Sequence, residues 1–85
     1  MIRLELMMGL DIPDEGTVSP QMFDDFIRTE IGPRLDFATI IDGVGLWKGT
    51  REDCKILVIM AAESDQEMLE SVLRSIGKAY AKAFR

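Results

Sequence analysis

Residues 54–62, CKILVIMAA, set Ile56, Val58 and Met60 in alternation with Leu57 and Ile59. This is the strongest strand signal in the chain, and both faces of that strand are apolar. Helices packed on one side of a sheet cover one face only. The other face needs a second layer, and a second copy of the chain is the simplest source. The expectation is a homo-oligomer, dimer or higher, packed through the sheet.

The remaining elements follow from period and punctuation. Ile2, Leu4, Leu6 and Met8 alternate with Arg3, Glu5 and Met7, which reads as a strand over 2–8 with one buried face. GLDIPDEGTVSP is rich in turn formers and acids and reads as a loop. Ser19 and Pro20 form a helix start, hydroxyl N-cap then proline at the first position. Met22, Phe23, Phe26, Ile27 and Ile31 recur at helical spacing until Gly32-Pro33 stops the helix. Residues 37–42, FATIID, are β-rich, and GTRED reads as the turn that joins them to 54–62 as an antiparallel hairpin. Ser64 with Glu67 matches a capping box. Leu69, Val72, Leu73, Ile76, Tyr80 and Ala83 then mark the apolar stripe of a second helix, with Glu70 and Arg74 spaced for a favourable pair.

The order β-α-β-β-α predicts a single ferredoxin-like α+β domain over residues 1–85: an antiparallel sheet with two helices on one face. The fourth strand of that arrangement is absent or supplied by another chain, which leaves the first strand as an edge. At 85 residues the chain buries only about 60–65% of its unfolded surface, so assembly would add useful stability.

Composition removes several chemistries. The net charge of −5 with no basic stripe argues against binding a nucleic acid polymer. Histidine is absent and cysteine occurs once, which excludes the usual transition-metal ligand sets. No organic cofactor is implied. Asp11, Asp14 and Glu15 share a loop but lack the spacing of a calcium loop and read as solvated acids. No apolar run reaches the roughly 20 residues of a membrane span, and the start lacks the apolar block of a signal peptide. With the lone Cys54, these features suggest a cytoplasmic setting.

Functional residue types concentrate between Arg34 and Lys55. Arg34, Asp42, Trp47, Lys48, Arg51 and Glu52 are the candidate ligand-binding residues, with glycines at 43, 45 and 49 interleaved. Trp47 beside Lys48 and Arg51 offers a stacking surface next to positive charge. DGVGLWKG lacks the spacing of a phosphate loop and precedes a strand. Two readings remain: a ligand loop, or a bulged hairpin whose tryptophan fills a sheet edge or subunit interface. Glu30, Arg34 and Glu52 could form a structural ion network. Cys54 is either a buried inert thiol or, with its pKa lowered beside Lys55, a nucleophile. No catalytic residue is assigned.

Pro33-Arg34, Asp42-Gly43, Gly45, Trp47, Glu52, Lys55 and Leu57 spell PR…DG.G.W…E.K.L. Over residues 20–62 the chain thereby resembles an uncharacterised family of short bacterial and phage domains. The resemblance implies a ferredoxin-like fold without an assigned activity. Its members usually continue into another strand after the second helix, and larger relatives look exported. A short leaderless version suggests a phage or mobile-element protein, acting in the host cytoplasm.

Three functions compete. The first is a non-enzymatic homo-oligomeric module holding a small anionic ligand or signalling nucleotide near the 42–55 hairpin. The second is a protein-interaction module, such as a host-factor inhibitor, that lends its sheet edge. The third is a small dimeric α/β-barrel enzyme in which Glu52, Asp42 or Tyr80 does acid-base work.

Overall fold

A computed structural model describes residues 1–84. The period-two run becomes strand β1 (Ile2–Gly9). The segment after it, expected as loop, carries a small ribbon of β2 (Asp11–Ile12) and β3 (Gly16–Thr17). Asp14 and Gly16 turn it, at φ 61° and 97°. Helix α1 (Pro20–Phe26) opens as its cap chemistry requires, with Ser19 extended and its hydroxyl accepting from the Met22 N–H at 3.1 Å. It runs on as a π-helical turn over Ile27–Ile31, closed by Gly32 N–H on the Ile27 carbonyl at 2.8 Å. That wider turn carries Ile31 into the core.

Strands β4 (Thr39–Trp47) and β5 (Thr50–Ala61) pair without interruption from Thr39 opposite Val58 to Trp47 opposite Thr50. This corrects the expected hairpin in two ways. The turn is only Lys48-Gly49, both at positive φ (49° and 81°), as a type I′ turn requires. There is also no bulge, because the glycines at 43 and 45 lie inside the ladder. Gly43 is there for closeness: a Cβ would come within 2.9 Å of Ile56 Cδ1 and 3.2 Å of Cys54 Sγ.

A 3₁₀ turn over Glu63–Asp65 leads into helix α2 (Gln66–Phe84). Ser64 therefore lies within the turn and does not cap α2. Glu70 accepts from the Gln66 side chain at 2.8 Å, one turn before the Arg74 partner expected for it. Ala83 is exposed, and Phe84 packs instead, its ring 5.0 Å from Tyr80 and 5.8 Å from Phe26.

The molecule is α+β, with an antiparallel sheet in the order β1-β5-β4. The connection from β1 through α1 to β4 passes over β5. Both helices contribute to one core with the even residues of β1 and the odd residues of β5. Met8, Leu57, Ile59 and Ile76 are its innermost side chains. The opposite face has no helix. Across it, Met7, Ile56 and Ile41 form one row, with Met60 and Trp47 on the same side. Met7, Ile41, Met60 and Trp47 are all exposed. Among the described residues, no helix is long and apolar enough to cross a membrane.

Candidate functional site

Strand β1 stops at Gly9, opposite Cys54. Beyond that level the β4–β5 ladder continues as a two-stranded arm, held at its root by the Leu10 N–H on the Asp53 carbonyl at 3.0 Å. With no third strand or helix over it, the arm leaves Val44 51%, Leu46 75% and Trp47 71% exposed.

Strand alternation divides the candidate residues. Trp47 and Glu52 share the helix-free face of the arm, whereas Arg51 stands opposite Leu46 on the other. Lys48 occupies the turn and folds back so that its ammonium lies 5.5 Å from the centre of the Trp47 ring. Asp42 accepts a hydrogen bond from Lys55, directly across the ladder. Lys55 also stands 5.7 Å from the Phe23 ring, so this pair ties the arm to α1. Arg34 is elsewhere. It donates to the Glu30 carbonyl at 2.8 Å and carboxylate at 3.3 Å, beside Lys78 and Lys82 of α2. The expected network of Glu30, Arg34 and Glu52 is thus an exposed pair on the π-turn, with Glu52 on the arm. Trp47 and Lys48 are together, while Arg34 and Asp42 serve local contacts.

A cleft of about 430 Å³ opens where β1 ends, bordered by Gly9, Gly45, Glu52, Cys54, Gly77 and Tyr80. Its α2 side was not legible as a site. Tyr80 reads from sequence as one position in an apolar stripe. In the structure it is 3% exposed, and its hydroxyl donates to the Gly9 carbonyl. The glycines at 9, 45 and 77 were the available signal, each sparing a side chain at this rim.

Cys54, also on this rim, has its thiol pKa pushed up by burial, with the Glu52 and Asp53 carboxylates adding to the shift. The thiol is therefore protonated at neutral pH, opposite to the activation that Lys55 was considered to provide. Among the described residues, no three or more acids, cysteines or histidines gather as a metal-binding group. What the region offers is an aromatic surface with an ammonium at the tip, and a shallow recess with one carboxylate at the root.

Comparison with known families matches residues 3–85 to a family model described as a protein of unknown function, DUF3574. The chain belongs to the DUF3574 family. That match runs from β1 through α2, well beyond the segment that carries the PR…DG.G.W…E.K.L pattern. No curated protein and no solved structure gives a significant match. Membership in DUF3574 brings no activity with it, so function rests on the geometry of this chain.

Proposed function

We propose that the protein is a non-enzymatic, homo-oligomeric binding module built from ferredoxin-like protomers that pack through the helix-free face of the sheet. The observation that carries this reading is the row Met7–Ile56–Ile41, flanked by Met60 and Trp47, on a face without a helix. The strand order β1-β5-β4, with a helical crossover from β1 to β4, supports the ferredoxin-like description. Burying such a face removes apolar surface from water at roughly 25 cal/mol per Å², offset by the entropy of association.

The ligand in this reading is a small anion carrying a ring, such as a signalling nucleotide. Trp47 supplies a face for the ring, and Lys48 with Arg51 supplies positive charge at the arm. Apposing two helix-free faces would bring the arm and the recess at its root to a subunit boundary, which would shield the ligand from solvent.

Two measurements test this. Sedimentation at micromolar concentration should give a dimer or larger, and a monomer would overturn the assembly. Tryptophan fluorescence titrated with a nucleotide panel should respond to at least one member. Silence from every member with the oligomer intact would overturn the ligand while leaving the assembly standing.

A further inference from the structure

The outer edge of β1 has its own pattern, independent of the helix-free face. The Leu10 N–H bonds the Asp53 carbonyl and so continues the register in which β1 pairs with β5. Bonded pairs alternate along an antiparallel ladder, so Leu4, Leu6 and Met8 direct their backbone groups at β5. Arg3, Glu5, Met7 and Gly9 direct theirs outward. The two-residue turn gives the same phase: Trp47 and Thr50 flank it as a bonded pair, which assigns even β5 residues to β4 and odd ones to β1. The outward carbonyl of Gly9 is taken by the Tyr80 hydroxyl. From Arg3 to Met7 the edge is open.

Beside this edge, β1 and α2 border a cleft of about 480 Å³ that includes Leu4, Leu6, Leu73 and Gly77. Gly77 keeps the helix low, since a Cβ there would already touch Leu6 Cδ1 at 3.5 Å. Core side chains are therefore reachable along an edge whose backbone groups face outward, the situation in which strand addition is favoured. Arg3 and Glu5 flank Leu4, pair with each other at 2.7 Å, and are each about half exposed.

We propose that β1 pairs antiparallel with β1 of a second copy about a two-fold axis at Leu4, joining two three-stranded sheets into one. Both residues of a bonded pair must face outward, so the axis has to pass through a residue and not between two. An axis at Leu4 sets Ile2 opposite the partner's Leu6 and Arg3 opposite the partner's Glu5. By symmetry that ion pair forms twice. An axis at Glu5 would oppose two carboxylates, and one at Arg3 two guanidiniums. An axis at Leu6 would run Arg3 against Gly9 of the partner subunit, whose carbonyl Tyr80 already holds. Charge and backbone phase thus select one register. Glu70 and Arg74 line the same cleft, and the same axis turns Glu70 toward the partner's Arg74. Together with the helix-free face, this seam would build a tetramer, yet either contact can exist without the other.

Charge exchange in trans tests the seam on the full chain. Arg3→Glu alone or Glu5→Arg alone opposes like charges twice and should weaken the edge association roughly tenfold or more. Mixing the two single variants should restore it as a mixed pair, resolved by native mass spectrometry. An ion pair within one protomer cannot produce that rescue. Since Arg3 and Glu5 also border the helix-free face, Ile41→Lys on β4 is the control: it should lose the face contact and retain edge pairing. An Ile41→Lys protein that is monomeric at every concentration overturns the seam, as does a mixture that forms no mixed pair. On the unaltered protein, the amides of Arg3 and Glu5 should exchange more slowly as concentration rises. Concentration-independent exchange there would also overturn the proposal.

Discussion

Strand β5 presents two apolar faces that the fold treats differently. Toward the helices, Leu57 and Ile59 are 0% and 1% exposed and belong to a core shared with β1, α1 and α2. Away from them, Ile56 is half-buried and Met60 is 48% exposed, covered only by neighbours in the sheet. The residue types are nearly the same on both sides. What distinguishes the faces is the supply of covering layers: a chain with two helices on one side of a sheet has none left for the other. Hydrophobicity in a strand therefore reports a demand for burial, and topology decides whether the same chain meets it.

The largest expected effect compares neighbours on the two faces. Leu57→Ala removes a fully enclosed side chain and should cost about 3 kcal/mol in urea unfolding, whatever the protein concentration. Ile56→Ala should cost about 1 kcal/mol or less in dilute solution, with the cost growing as concentration rises and the helix-free face becomes an interface. Equal, concentration-independent losses at both positions would break the comparison.

The assignment of residues to faces depends on register, which the β4–β5 turn sets, since a slip of one residue exchanges the two faces. Gly49 has φ 81°, where a side chain is strained, so Gly49→Ala should destabilise by about 1 kcal/mol in thermal or urea melts. Lys48 sits at φ 49°, and Lys48→Asn should instead stabilise by a few tenths of a kcal/mol, asparagine being favoured at that turn position. The Ser19 cap is of similar size: Ser19→Ala should cost about 1 kcal/mol, seen as a lower urea midpoint.

Much of this arrangement was legible because it depends on local rules. The alternation in β1, the Ser19-Pro20 start and the two apolar faces of β5 all follow from spacing within a few residues. The hairpin was misplaced because three glycines in eight residues look like a loop. Only the packing of Gly43 against Ile56 and Cys54 explains them inside a ladder. The grouping of site residues was least legible. Arg34 lies 13 positions before Trp47, and the intervening chain enters β4 at Thr39, which leaves the arginine on the π-turn with Glu30. Tyr80 reaches Gly9 across 71 positions, a contact that no local pattern encodes.

The smallest effect sharpens the comparison at its exception. Cys54 lies on the helix-free side of β5, yet it is only 4% exposed, as enclosed as the core on the other side. Burial raises its pKa, and Glu52 and Asp53 raise it further, so the folded protein holds the thiol proton above the pH at which the unfolded chain releases it. Unfolding then releases a proton in that window. Stability from this group is fully present below the ordinary thiol pKa of 9.0 and declines as pH rises from there toward the folded value. Urea midpoints should fall between about pH 9 and 10.5, and Cys54→Ala should flatten that part of the profile. A wild-type slope that survives the substitution would mean that another group titrates there. Cys54 would then count with the open residues of its face, and not with the core.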